Sequence, residues 1–230
     1  MKHAVIDRPH TVSSFDGELA EVKSLVNRMA GLAQRSLEEA IVALESADRA
    51  AAYEIVAKDK VIDELELSIE RLVLLTITSH APMAEDLRFL IVAIRVGKML
   101  ERTGDQAKRI ARRIKKLGPD GPDEIGHSLI LIRAMTKYAN DMIETAIKSF
   151  QGANQAAAQE VLRADAELNE MHDKLARICA EEMAAGTLRI GHGIEITLIG
   201  KQLERVGDYA TNIAGDVLYM VTGSRDNLCQ

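Results

Sequence analysis

The chain has 230 residues, of which 47% are apolar and 3% aromatic, with no Trp. That length suits one large domain or two small ones, and a core of Leu, Ile, Val, Ala and Met favours helices over a sandwich or barrel. The formal charge of -6 argues against nucleic acid as a partner and suits a soluble protein that binds cations.

Only Pro9, Pro82, Pro119 and Pro122 interrupt the chain. A proline inside a helix costs about 3 kcal/mol, so the long proline-free runs permit long helices. The first is predicted from about Ser14 to Leu44, with Ser13 or Ser14 as N-cap and Asp16 and Glu18 in its first turn. Leu19, Val22, Leu25, Val26, Met29 and Leu32 recur along it at helical spacing. Asp48 is placed to cap a second helix, from about Arg49 to Ser79. Pro82 marks the turn into a third, which ends near Leu117. Gly118-Pro-Asp-Gly-Pro122 is the clearest break. A fourth helix is expected from about Glu124 to Phe150, and a fifth from Asn154, its cap, to about Ala184. Gly186 turns the chain into a sixth, which ends near Val221 with Gly223 just beyond it.

The expected fold is all-α: two tandem three-helix bundles of six long antiparallel helices, produced by internal duplication. The first bundle spans 1–117, a linker 118–121, the second bundle 122–223 and a tail 224–230. Duplication is suggested by two short strings, Glu101-Arg-Thr-Gly-Asp105 and Glu204-Arg-Val-Gly-Asp208, 103 positions apart. Each sets two carboxylates at i and i+4, on one helix face. Each also holds a Gly that costs a helix roughly 1 kcal/mol, expected to leave open space beside the acids.

In the third helix, Leu87, Leu90 and Ile94 share a face with Glu101 and Asp105. The second helix carries Asp59, Asp63, Glu66 and Glu70 on a face flanked by Ile55 and Val73. Carboxylates on faces that point into a bundle must be paired, hydrogen-bonded or metal-bound, because a lone buried ion costs several kcal/mol. Clustered carboxylates suit Mg²⁺, Mn²⁺, Fe or Zn²⁺. In the second half Asp165, Asn169 and His172 stand where Asp59, Asp63 and Glu66 stand in the first, opposite Glu204 and Asp208. His172 offers a nitrogen, which favours a transition metal.

The run Lys108-Arg109, Arg112-Arg113, Lys115-Lys116 reads as compensation of a helix C-terminus, or as a docking patch for an acidic partner. Cys179 and Cys229 form no CxxC, which suits a buried thiol and a free one in a reducing compartment. The N-terminus has no apolar signal region, and the uncharged stretch from Leu72 to Ala84 is too short to span a bilayer. A cytoplasmic protein is expected. Walker, GxGxxG, GxSxG and HExxH strings are absent, and the single ExxH, Glu124-Ile-Gly-His127, reads as chance.

Phe15-Asp-Gly-Glu-Leu19, Asp59-Lys-Val-Ile-Asp63, Pro82 with Asp86-Leu-Arg88, the Glu101–Asp105 and Glu204–Asp208 strings and Asn212-Ile-Ala214 together resemble the PhoU family of regulators of bacterial phosphate uptake, over about His10 to Gly223. The resemblance implies tandem three-helix bundles and metal bound by paired acidic motifs. Carried over residue by residue, it gives Asp59, Asp63, Glu101 and Asp105 in one site and Asp165, Glu204 and Asp208 in the other, with Glu66, Asn169 and His172 as weaker candidates. Asn169 departs from the pattern, and an amide is a poorer cation ligand than a carboxylate. The resemblance further implies a non-enzymatic regulator without catalytic residues. It would link the ATPase subunit of a phosphate ABC transporter to a sensor histidine kinase, restraining the phosphate-starvation response when phosphate is plentiful. Such a protein meets the membrane only through its partners and forms a homodimer. The alternatives are a dinuclear-metal carboxylate-bundle enzyme (oxidase or hydrolase) and a purely structural bundle.

Overall fold

A computed structural model describes residues 9–118 and 125–224, with side chains from Ser14 onward. The described residues form six helices: α1 (Pro9–Glu45), α2 (Arg49–His80), α3 (Ala84–Leu117), α4 (Gly126–Gly152), α5 (Gln155–Ala185) and α6 (Ile190–Thr222). Five of the six match the sequence expectation to within about two residues at each end. The exception is the start of α1. It begins at Pro9, so Ser13 and Ser14 lie inside it and are not at its N-cap position. Proline is favoured at a first helical position because its missing N–H is one that the helix leaves unpaired anyway.

The remaining caps follow local chemistry. Asp48 accepts from Ala51 N at 3.0 Å, and Asn154 accepts from Ala157 N at 3.1 Å, each tying down an N–H that the helix cannot satisfy itself. Gly186 and Gly223 end α5 and α6 at φ 74°, the left-handed conformation that glycine adopts without steric cost. At Ala81 (φ 47°) and Ala153 (φ 48°) the same conformation is held by a residue with a Cβ.

Helices α1, α2 and α3 pack on one another, as do α4, α5 and α6, and the two triplets meet where α3 packs on α6 and α1 on α4. Four helices therefore make the centre, while α2 and α5 lie outside on opposite flanks. Val22, Val26, Met29, Ala33, Leu37 and Leu44 line the buried stripe of α1, and Ile132, Met135, Ala139, Ile143 and Phe150 that of α4. The proposed break at 118–121 and the tail from 225 onward, including Cys229, lie outside the described residues apart from Gly118; Cys179 is fully buried, as expected.

The joint between triplets is polar along its length. On α3 and α6, Arg95 pairs with Asp216 at 2.9 Å, Gln106 donates to the Tyr209 hydroxyl at 3.1 Å, and Arg113 pairs with Glu195 at 2.7 Å. On α1 and α4, Gln34 donates to the Asn140 carbonyl at 3.0 Å and Asn140 donates back to the Gln34 carbonyl at 3.4 Å. Gln106 and Tyr209 are 103 positions apart, the offset of the two acidic strings. Gln34 and Asn140 are 106 apart, the offset that relates Asp59 to Asp165. Equivalent residues of the two halves thus touch each other, which places a local two-fold relation through these pairs.

Two of the motifs quoted above serve this frame. Glu18 lies 3.2 Å from His80 and Phe15 packs on the His80 ring, tying the start of α1 to the end of α2. Arg88 donates to the Met220 carbonyl at 3.0 Å, placing a cation at the C-terminus of α6, where the helix dipole favours one.

Replacing Ala153 or Ala81 by Gly should stabilise the protein. Left-handed backbone costs a residue with a Cβ roughly 1–2 kcal/mol, and the added freedom of glycine in the unfolded chain returns about 0.4–1 kcal/mol of that. A raised melting temperature for each variant is the expected result. Glu195 gives a pH test. Burial pushes its carboxyl up, but Arg113 and Lys116 outweigh this and hold it below the ordinary 4.5. Its contribution is therefore complete above that value and is lost as pH falls through the lower folded value. Glu195→Gln should cost roughly 1.5–3 kcal/mol at neutral pH, and the gap from wild type should close in acid, as measured by denaturant unfolding.

Candidate metal centres

The acidic faces lie where an outer helix meets an inner one, α2 on α3 and α5 on α6. Glycines set how closely these pairs approach. A Cβ on Gly104 would stand 2.7 Å from Ile62 Cδ1, and one on Gly207 would stand 2.6 Å from Leu168 Cδ2. One heptad earlier, a Cβ on Gly200 would stand 2.5 Å from Leu175 Cδ2, whereas one on Gly97 would meet Ile69 at an ordinary 3.6 Å. The glycines do not leave open space beside the acids, as the sequence suggested. Aliphatic side chains of the facing helix fill that space. What the missing Cβ provides is proximity, which brings carboxylates on facing helices together.

On the α2/α3 face, Asp59 is 6% exposed, while Asp63, Glu66, Glu101 and Asp105 are partly buried. Glu70 is exposed and stands apart. Burial pushes the Asp63 carboxyl above its ordinary range, and the charges of Asp59, Glu101 and Asp105 add to this against the pull of Lys108. The four carboxylates assigned to the first site do gather. Two lysines join them. Lys108 pairs with both Asp59 and Asp105, the latter at 2.7 Å, and Lys98 bridges Glu66 at 3.3 Å and Glu101 at 3.1 Å.

On the α5/α6 face, Asn169 donates to Asp165 Oδ2 at 3.0 Å and Lys201 pairs with Glu204 at 2.6 Å. His172 Nδ1 is 3.2 Å from Glu204 Oε2, near enough for attraction but outside hydrogen-bond geometry. Asp208 is exposed, yet partial loss of hydration and the nearby Asp165 and Glu204 charges raise its carboxyl above the ordinary range. Asp165 Oδ1, Asn169 Oδ1, His172 Nε2 and Glu204 Oε2 are buried atoms without a hydrogen bond. Such atoms are rare in native interiors and ask for an explanation.

Among the described residues, no three His, Cys, Asp or Glu side chains already converge on a single metal position. The two faces nevertheless differ in their fit to a cation. The first presents acids already held by ammonium groups. The second holds one ammonium, Lys201 on Glu204, turns His172 Nδ1 toward Glu204, and leaves Asp165 Oδ1 and Asn169 Oδ1 without a hydrogen bond.

Lys98 and Lys201 are residues that sequence reasoning missed, and Lys108, read there as part of a basic run, instead pairs with the acids. Their signal was present, because each stands three positions from an acid of the motifs, a helical neighbour. The basic run of α3 is largely consumed within the chain: Lys108 by the acids, Arg113 and Lys116 by Glu195, and Lys115 by the Tyr53 ring at 3.5 Å. His127 pairs with Glu182 at 3.2 Å, and Glu124 lies outside the described residues.

A family model described as the PhoU domain matches residues 26–114 and again 132–217. The chain belongs to the PhoU family. Both matches fall on corresponding triplets, so the duplication inferred from the acidic strings is a repeat of one family domain. A phosphate-specific transport system accessory protein PhoU homolog from Zymomonas mobilis is 34% identical over 94% of this chain and 90% of its own length. One from Rhizobium meliloti is 29% identical over 98% of this chain and 92% of its own. The crystal structure of PhoU from Pseudomonas aeruginosa superposes with a TM-score of 0.83 at 28% identity, covering 91% of this chain and all of that one. The phosphate transport system regulatory protein PhoU from Streptococcus pneumoniae gives 0.77 at 26% identity, covering 91% and 98%. PhoU relatives are named as transport accessory proteins, so this is a non-enzymatic family, and the oxidase or hydrolase alternative is set aside.

The raised Asp63 carboxyl gives a test of the first face. A group whose folded value is raised binds its proton more tightly in the folded state, so its ionised form opposes folding at neutral pH and stability is gained as pH falls through that value. Asp63→Asn in the presence of chelator should therefore raise the melting temperature at pH 7. The advantage over wild type should shrink as the solution is acidified.

Proposed function

We propose that this PhoU-family chain is an accessory regulator of phosphate uptake. It would act as an adaptor between the ATPase subunit of a phosphate ABC transporter and a sensor histidine kinase, and restrain the phosphate-starvation response when phosphate is plentiful. The observation that carries this is the match to PhoU accessory proteins over nearly the whole chain, in both triplets and in overall fold. The surface is consistent with docking. Leu67, Leu74 and Leu75 are exposed along α2, two turns apart, and offer apolar area to a partner or to a second copy in a homodimer. No helix among the described residues is long and apolar enough to cross a membrane, which suits a cytoplasmic protein that reaches the membrane through its partners.

Metal binding is part of the same proposal. Divalent or transition ions (Fe, Zn, Mn or Mg) would be held by Asp59, Asp63, Glu101 and Asp105 on one flank and by Asp165, Glu204 and Asp208 on the other, with Glu66, Asn169 and His172 in support. Such ions would offset carboxylate repulsion and fix the pitch of each outer helix on its inner partner. The support for this lies in the gathered acids and in the unpaired buried atoms of α5 and α6.

Deleting the gene should switch on phosphate-starvation genes in phosphate-rich medium, and tagged protein should retain the transporter ATPase and the kinase. Expression that stays unchanged on deletion would refute the regulatory reading. For the metal, stripping with chelator should lower the melting temperature by several degrees and restoring Zn²⁺ or Mn²⁺ should recover it. Purified protein free of metal and indifferent to chelator would leave the acids as a purely structural feature.

A further inference from the structure

The duplication supplies an internal control for the two outer helices. On α2, Tyr53, Val61, Leu67, Leu74 and Leu75 are exposed apolar side chains, with Leu67 61% and Leu75 56% open to solvent. At the offset relating α2 to α5 the same positions hold Gln159, Glu167, Asp173, Ala180 and Glu181, all exposed as well. Among its large apolar side chains, α5 exposes only Leu162. The two helices occupy corresponding places in one repeated fold, so an outer helix needs no apolar outer surface for the fold itself. Apolar residues scattered singly over a surface are ordinary. A run of them on one repeat, replaced by polar or small residues on the other, marks a surface made to be covered.

The charges of that strip say what covers it. At helical spacing Lys60, Glu64, Leu67, Arg71, Leu74 and Leu75 share one exposed face. Among the described residues neither Glu64 nor Arg71 is held in an ion pair. Glu64 lies as far before the midpoint between Leu67 and Ser68 as Arg71 lies after it. Two copies of α2 laid antiparallel about a two-fold axis at that midpoint therefore set Glu64 of each level with Arg71 of the other, on the same side of the seam. Leu67 then meets Leu67, Val61 comes within about 1.5 Å of the level of Leu75, and Leu74 lies against the methylene stem of Lys60. A face that balances both signs of charge does not suit an anionic lipid surface. It is complementary to itself, as the interface of a two-fold dimer has to be. Apolar contact supplies the affinity, and the exposed ion pairs fix the register.

We propose that the outer face of α2 is the surface by which this protein pairs with a second copy of itself: α2 lies antiparallel on α2, with the axis at Leu67 and reciprocal Glu64–Arg71 ion pairs, while the polar face of α5 limits the assembly to two copies. This rests on the homodimer reading above and deepens it by assigning the surface, the register and the limit. A chain of two similar repeats with apolar strips on both flanks would have a second contact to offer and would grow into open assemblies. The polar face of α5 removes that second contact.

The test is sedimentation velocity of the full-length protein over a concentration series, with helical circular dichroism to check that each variant folds. Wild type should sediment as a dimer, twice the 25.2 kDa of one chain, and should grow no further as concentration rises. Leu67→Glu, at an exposed position, should weaken dimerisation about tenfold or more by placing two carboxylates at the axis. Glu64→Arg and Arg71→Glu should each weaken it as well, because either change sets like charges against one another in both pairs. Mixed in equal amounts, those two variants should recover the dimer, since one copy then offers only Arg and the other only Glu. Arg177→Glu, the counterpart of Arg71→Glu on α5, should change nothing. A dimer that survives Leu67→Glu and both charge reversals, or that Arg177→Glu dissolves, lies on another surface, overturning the proposal while the homodimer reading stands. Loss of the dimer in the single variants without recovery on mixing overturns the antiparallel register. Growth beyond two copies overturns the role given to α5. Wild type that stays monomeric at every concentration removes both readings.

Discussion

Close approach of an outer helix to an inner one, at positions with no Cβ, is the constraint on which the rest of this molecule turns. Gly104 admits Ile62, and Gly200 and Gly207 admit Leu175 and Leu168. A helix interior pays roughly 1 kcal/mol for each glycine, so three that each meet an aliphatic partner at a distance no Cβ allows describe a packing surface. Once the backbones are this close, acids at neighbouring positions on both helices must share one strip of limited hydration. Their charge is then met in part by lysines three residues away on the same helix, Lys98 and Lys108 in the first half and Lys201 in the second.

Repetition organises the centre as well. Gln106 meets its own counterpart Tyr209, and Gln34 meets Asn140, at the joint between triplets. The joint is laced with charged and amide contacts, among them Arg95–Asp216 and Arg113–Glu195. Polar pairing specifies register more sharply than apolar packing does, because an offset of one turn strands a buried charge without its partner. The motif residue Arg88 fits this pattern, holding the last turn of α6 by the Met220 carbonyl from the first turns of α3. Some of the motif residues quoted from the sequence thus hold the two repeats together, while others gather charge on the flanks.

A regulator that reports by docking needs outer surfaces whose geometry is tied to an internal state. The outer helices α2 and α5 have that position: each carries one wall of an acidic strip inward and a solvent face outward. Leu67 and Leu74 are exposed on the side of α2 that adjoins Asp63, and Leu75 lies farther round toward solvent. A change in how the inner strip is neutralised acts on the same rigid helix that presents the outer one.

The number of helices, nearly all their ends, the Asp48 and Asn154 caps and the duplication were legible in the sequence, because they follow from local rules: proline exclusion, side-chain capping and a repeated spacing. The same holds for the carboxylates Asp59, Asp63, Glu101 and Asp105, whose period alone put them on facing stripes. The start of α1 was misread, since a serine cap and a proline at the first turn are both good local signals and only the longer helix shows which prevailed. What the tertiary structure decided was the meaning of the glycines and of the bases. Whether a missing Cβ leaves space or draws in Ile62 depends on the residue opposite, many positions away in the chain. Whether Lys108 compensates a helix end or spans Asp59 and Asp105 depends on how closely α2 approaches α3. Local sequence fixes which side chains share a face, whereas the energies of charge and of packing depend on the distance to the face across from it, and that distance exists only after the helices have docked.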